Sequence, residues 1–187
     1  MIIQGNDPYT GPSFSISHRI RRLLWGGVWL LLFRPSPRPF HAWRNLLLRA
    51  FGATLGQHVH IYPSVRVWAP WNLTVGNFVG IGDGTNVYCM DRISIGEYAV
   101  VSQGTHLCAG SHDFNSANFQ LITAPITVGS RVWLCADSFV GPGVTIAEGS
   151  VVGARGVVSK SISEPWCVWA GVPVKRVGTR EKSKVLA

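Results

Sequence analysis

From residue 55 onward an aliphatic side chain returns at every sixth position: Leu55, Ile61, Val67, then Val75, Ile81, Val87, then Ile95, Val101, Leu107. After a gap the series resumes at Val128, Leu134, Val140, Ile146, Val152 and Val158. The next residue is usually small, as at Gly56, Gly76, Gly82, Gly96, Gly129, Gly141 and Gly153. The fifth place of a hexad is often small or β-branched, as at Thr85, Ala99, Thr105, Ser111, Ser138 and Ser150. An amphipathic helix repeats its apolar positions every 3.6 residues and a half-buried strand every two, so neither yields a period of six. One aliphatic and one small side chain turned inward per hexad describes one flat face of a parallel β-helix. Three such faces close a coil of about 18 residues that stacks on the next as a solenoid.

The period slips in an orderly way. Hexads over 55–72, 75–92 and 95–112 each close a coil and are followed by two, two and fifteen further residues, whereas coils 128–145 and 146–163 run on without interruption. All the insertions fall at one corner of the triangular prism. Asn72, Arg92 and His112 are therefore expected to stack along that corner, with a loop over 113–127 leaving directly after His112. A long loop on so regular a scaffold points to function. The chain divides into a helical segment over 1–52, an all-β solenoid of about five coils over 53–163, and a tail over 164–187.

Before the repeat, the run Leu23–Phe33 is eleven residues of apolar or glycine character, too short for the roughly 20 that a spanning helix needs. It starts too far from Met1 and lacks the small-residue cleavage site of a signal peptide. Arg19, Arg21 and Arg22 precede it and Arg34 and Arg38 follow it, which suits a helix lying in a membrane interface. The competing reading is a helix packed on its own domain or on a neighbouring subunit. Pro35, Pro37 and Pro39 break that helix, and the pattern over 42–51 predicts a second, amphipathic one.

Composition sharpens this division. The chain has 187 residues, 47% of them hydrophobic and 14% charged, which excludes disorder and fits one domain with a full core. The net charge of +8 is unevenly spread. Residues 1–50 carry seven Arg against one Asp, 51–154 three Arg against six acids, and 155–187 seven Lys/Arg against two Glu. Two basic ends on an acidic-leaning body do not describe a nucleic-acid-binding surface, and no nucleic-acid partner is expected. Cys89, Cys108, Cys135 and Cys167 form no CxxC pair and read as reduced thiols, which places the chain in the cytoplasm, or at the inner face of the membrane if the basic helix docks there.

Ser111-His112-Asp113 stands where a regular coil meets the long loop. A histidine there is a natural general base for a hydroxyl, since its ordinary pKa lies near 6.5. Asp91 occupies a fifth place, normally small and inward, where an unpaired carboxylate is costly; it is expected to face an acceptor hydroxyl, to orient His112, or to bond the corner backbone. Asn72 and Arg92 on the same corner are further candidates for contact with a bound acceptor, and Phe114 and Phe119 in the loop could stack on a ligand ring. Cys108 and Cys135 could in principle carry an acyl group, but their second-place positions are those of packing residues.

Here the motifs resemble a known family. The [LIV]-[GA]-x-x-[STAV]-x hexad is the mark of the left-handed β-helix acyltransferases, and Gly110-Ser111-His112-Asp113 matches their catalytic-histidine context. Phe51–Gly56, Ala69–Leu73 and Val101–Cys108 resemble the colanic acid biosynthesis acetyltransferases, relatives of the maltose, galactoside and nodulation-factor O-acetyltransferases. The resemblance implies a left-handed parallel β-helix, acetyl-CoA as cosubstrate with no metal, a saccharide acceptor that is free, nucleotide-linked or lipid-linked and on whose ring Phe114 and Phe119 could stack, and a homotrimer with its sites between subunits. It also implies His112 as the base and a coenzyme site of Trp133, Ala136, Ala154, Ser159, Lys160, Gly171, Pro173, Lys175 and Arg176, with Arg180 as a further cation. Ala170–Lys175 matches the family's A-G-x-P-A-[KR] signature except that Val174 replaces the usual alanine. The alternatives on the same fold are another acyl-CoA donor, a non-enzymatic scaffold, or a zinc carbonic anhydrase. For the last, His106 and His112 fall one hexad apart, His58 and His60 are coils away, and a third ligand is missing.

Overall fold

The structure is a computed structural model that describes residues 2–3 and 11–182; the outer ends of the helical segment and of the tail lie outside these. From Thr54 the chain winds as a left-handed parallel β-helix. Short strands build three parallel sheets. The first face stacks Thr54–Leu55, Leu73–Val75, Ile93–Ile95, Ile126–Val128 and Thr145–Ile146. The second stacks His60–Ile61, Gly80–Ile81, Val100–Val101, Trp133–Leu134, Val151–Val152 and Cys167–Ala170. The third stacks Arg66–Val67, Asn86–Tyr88, His106–Cys108, Phe139–Val140 and Val157–Val158. Five coils are complete. A sixth adds the Ile162 bridge to the first face and Cys167–Ala170 to the second, then turns back as the antiparallel strand Lys175–Thr179.

The register follows the aliphatic series. Leu55 pairs with Val75 and Val75 with Ile95, Ile61 with Ile81 and Ile81 with Val101, and Val67 with Val87 and Val87 with Leu107. Every member of the series is buried except Leu55, which is partly covered in the first coil. The small second-place residues are small because the next coil lies directly above them. A Cβ on Gly96 would stand 2.5 Å from the Ser130 nitrogen, and one on Gly76 would stand 2.8 Å from the Glu97 nitrogen.

The corner after the third face departs from the expected arrangement. Ala69, Cys89 and Ala109 turn inward there and are fully buried, whereas Asp91 is half-buried on the rim and Ser111 is exposed. The extra residues after these three coils, two, two and fifteen, let the chain turn on a small residue in the third place of the hexad, so Asp91 and Ser111 in fifth places there do not reach the core. Cys89 fills this corner, its thiol donating to the Ala69 carbonyl at 3.1 Å, and burial pushes its pKa up to about 12.

A β-helix leaves its first coil with unpaired backbone groups, a sheet edge that must be covered. The N-terminal helices do this with side-chain donors. Helix α1 (Ile16–Val28), extended by a π-helical turn over Trp29–Phe33, sends the Trp25 indole N–H to the Val67 carbonyl and that of Trp29 to Val65. Helix α2 (His41–Ala50) sends Asn45 to Val59, Arg44 to Ile61, and Arg49 to Leu55 and Gly56. Arg44 is fully buried, and its remaining N–H groups reach Ser36 and the carbonyls of Pro37 and Arg38 in the proline-rich turn. The Leu23–Phe33 run thus packs on its own domain through Trp25, Trp29 and Phe33.

Candidate active site

The long excursion begins earlier than the repeat predicted. Gly110–His112 already leaves the solenoid and pairs antiparallel with Leu121–Thr123, with Gly110 opposite Thr123 and His112 opposite Leu121. His112 therefore stands on a hairpin, not on the corner column. The backbone stacked on Arg92 is instead that of Pro125–Ile126: Ile126 donates to the Arg92 carbonyl, and Leu73, Ile93 and Ile126 share one register. The hexad count could not separate these outcomes, because a strand peeling away and a coil finishing its turn use the same residue types.

The hairpin tip is fixed by its own polar groups. Asp113 accepts from the Asn115 backbone, the Ser116 hydroxyl donates to the Asp113 carbonyl, and Gln120 N–H donates to the Ser116 hydroxyl. These bonds hold the Phe119 carbonyl 2.6 Å from His112 Nδ1. Phe119 takes a left-handed backbone, φ 46°, to aim it. A carbonyl only accepts, so Nδ1 is the donor, and in the neutral ring the lone pair belongs to Nε2. The side chain is exposed.

At the foot of this hairpin lies an open cleft of about 740 Å³. Asn72, Asp91, Met90, Trp71 and Thr123 line one side, and His18, Arg21 and Ser17 of α1 line the other. Two of the four expected acceptor residues, Asn72 and Asp91, thus share one wall. Asn72 donates its amide to the carbonyls of Cys89 and Met90, both at 3.1 Å, which squares the corner beside Asp91. Asp91 accepts from the Arg92 backbone at 2.7 Å. Arg92 is exposed and lies outside the lining, and Phe114 stands at the hairpin tip with 80% of its surface exposed. Met90 holds the hairpin root, since a Cβ on Gly110 would overlap its sulfur.

Sequence reasoning missed the α1 wall altogether. Arg21 lies over the Trp71 ring at 4.1 Å and Arg22 over Trp68 at 4.0 Å. His18 stacks on Phe14 with ring centroids 4.9 Å apart, Trp68 lies tilted beside both and Trp71 meets its edge, and burial, with Arg22 and Arg21 nearby, lowers its pKa to about 4. The signal was there in the Arg and Trp spacings, but nothing in one sequence pairs a helix with a coil fifty residues on.

The expected coenzyme residues lie elsewhere on the prism. Trp133 projects from the second face, half exposed, and its indole N–H donates to Ser102 Oγ at 3.0 Å. Ala136 and Ala154 follow at the corner between the second and third faces. Ser159 and exposed Lys160 sit on the corner that also launches the hairpin. Gly171, Pro173 and Lys175 belong to the turn and strand that extend the second face, where Lys175 is exposed. Arg176 is engaged by Glu164 at 3.4 Å and by the Cys167 sulfur at 3.2 Å. Arg180 is committed to the carbonyls of Arg131 and Gly149, so it closes the top of the solenoid and does not stand ready for a phosphate.

In a triangular prism the second face is opposite the hairpin corner. One subunit therefore places His112 and Trp133 on opposite sides, and does not bring them together. Burial pushes the Cys135 thiol up, away from the reactive thiolate. Among the described residues no three His, Cys, Asp or Glu side chains converge as a metal site.

No family model matches the chain. It is 45% identical over 149 residues to "Putative colanic acid biosynthesis acetyltransferase WcaF" of Escherichia coli K12, covering 80% of this chain and 82% of that protein. It is 30% identical to the galactoside O-acetyltransferase of the same organism, over 74% and 71% of the two chains. Among solved structures, a hexapeptide-repeat acetyltransferase of Vibrio cholerae complexed with acetyl coenzyme A superposes with a TM-score of 0.83 at 22% identity, covering 91% and 93%. The hexad register and these relatives place the chain in one family: it belongs to the hexapeptide-repeat O-acetyltransferases.

Proposed function

We propose that this protein transfers an acetyl group from acetyl-CoA to a hydroxyl of a saccharide destined for an exported or surface glycan, with His112 as general base. The observation that carries the reading is the 2.6 Å bond from Nδ1 to the Phe119 carbonyl, which leaves Nε2 as an exposed base on a rigid hairpin. Nε2 takes the hydroxyl proton while the oxygen attacks the thioester carbonyl. Collapse of the tetrahedral intermediate expels the coenzyme thiolate, which takes the proton back from the imidazolium. The cleft bounded by Asn72, Asp91 and Arg21 holds the saccharide, because a carboxylate, an amide and a guanidinium offer both acceptors and donors to hydroxyls.

The coenzyme lies between subunits of a homotrimer. Support comes from the separation of the two half-sites within one chain. Trp133, Ala136 and Ala154 offer a flat apolar wall, while Lys160 and Lys175 offer cations for the coenzyme phosphates. Replacing His112→Ala is expected to lower kcat by roughly 10²–10⁴-fold, the usual worth of a positioned base, and to leave acetyl-CoA binding unchanged. Thiol release measured with acetyl-CoA and a saccharide panel reads the first, and calorimetric titration the second. Undiminished turnover in this variant would remove His112 from the mechanism.

A further inference from the structure

Helix α1 is amphipathic twice over. Its inner face, His18, Trp25, Trp29 and Phe33, is packed against the first coils. Its outer face is also apolar. Ile16, Ile20, Leu23, Leu24 and Leu31 recur at steps of three, four and seven, and are 71%, 52%, 76%, 59% and 70% exposed. Gly27 continues the stripe, and Leu30 flanks it. The Trp43 indole N–H bonds the Leu32 carbonyl at 3.0 Å and so brings α2 alongside, adding exposed Phe40, Trp43 and Leu46 to the same surface. Solvent-facing leucines in such a run are far beyond the scattered apolar residues a soluble surface carries.

We propose that this face is a docking surface for an anionic phospholipid bilayer, with α1 lying in the headgroup plane. The charge pattern selects that occupant. Residues 11–50 contain seven arginines and no acid, and exposed Arg19 and Arg34 border the stripe. A second copy of the face packed against the first would set these arginines against their own kind, whereas an acidic leaflet neutralises them. No described helix is long and apolar enough to cross a membrane, so the attachment is interfacial. The inner face is already held by the two indole bonds and the Arg21 and Arg22 stacks, so docking does not require the helix to leave the solenoid. Because α1 also walls the cleft beneath the hairpin, docking presents the cleft to the membrane surface, where a saccharide carried on a lipid is found; this consequence alone rests on the function proposed above.

The test is co-sedimentation of the full chain with vesicles of 70% phosphatidylcholine and 30% phosphatidylglycerol, and with phosphatidylcholine alone. The wild type is expected on the mixed vesicles, less on the neutral ones, and to be released by raised salt. Leu23→Glu with Leu31→Glu is expected to cut partition roughly tenfold or more, and Arg19→Gln with Arg34→Gln to cut it severalfold. Val177→Glu, on an exposed site of the tail, serves as a control with no effect. Circular dichroism and light scattering check that each variant is folded and of wild-type mass. Failure of the wild type to bind mixed vesicles, or equal binding by the leucine variant, overturns the proposal. So does loss of oligomer mass in that variant, which would make the stripe a subunit contact. None of these readouts depends on acetyl transfer.

Discussion

His18 shows how much a single side chain can carry that its letter does not reveal. Only 8% of it is exposed, its Nε2 finds no partner among the described residues, and burial with the Arg22 and Arg21 charges lowers its pKa from 6.5 to about 4. The unfolded chain takes up a proton below pH 6.5, while the folded chain resists until about pH 4. Stability from this group is therefore complete above pH 6.5 and is lost as the pH falls towards 4, by about 2–3 kcal/mol. His41 and His106, also lowered chiefly by burial, add to the same trend. Replacing His18→Gln should flatten the fall of Tm between pH 6.5 and 4 relative to wild type. An unchanged slope would assign the acid sensitivity to the other two. His112 is singled out by its Gly-Ser-His-Asp setting, but its hydrogen bond to a carbonyl seven residues away is one that no pattern announces.

At the scale of elements the hexad period was a sufficient guide wherever one coil's geometry repeats in the next. Phase, inward face and the second-place glycines all follow from stacking at about 4.8 Å. Gly96→Ala should destabilise by about 1–3 kcal/mol, because its Cβ meets the Ser130 and Gly129 backbone, which cannot swing aside. Gly80→Ala on the open second face, with nothing within 4 Å, should be tolerated. Comparing the two by thermal melting separates coil contact from mere strand propensity. The reading failed where elements of different kinds meet. The fifth-place rule puts Asp91 and Ser111 inward, but Cys89 and Ala109 fill the core there, because the residues inserted after each coil rephase the corner. Arg44 reads as one charge on an amphipathic helix, yet it is buried, serving the Ile61 carbonyl and the proline turn. Such pairings are between distant segments, and a period carries no information about them.

For the whole molecule, the prism sets the His112 hairpin and Trp133 on opposite sides, so the proposed function makes assembly a requirement of catalysis and not an embellishment of it. If His112 of one subunit works with Trp133 and Ala136 of its neighbour, two inactive proteins can repair one another. One carries His112→Ala; the other carries Trp133→Glu with Ala136→Glu, which sets carboxylates where the anionic coenzyme would lie. In trimers reassembled at random from equal amounts, a productive site needs an intact base from one parent and an intact wall from the other. About a quarter of the sites meet that condition, so about a quarter of wild-type turnover should return on mixing and co-refolding. A site built within one subunit gives no recovery at any ratio, since every chain in the mixture is defective. Light scattering on the wild type supplies the companion measurement, a mass about three times the 20.4 kDa of the chain. Recovery at trimer mass would establish the shared site; a trimer without recovery would keep the assembly and return the coenzyme to a single chain.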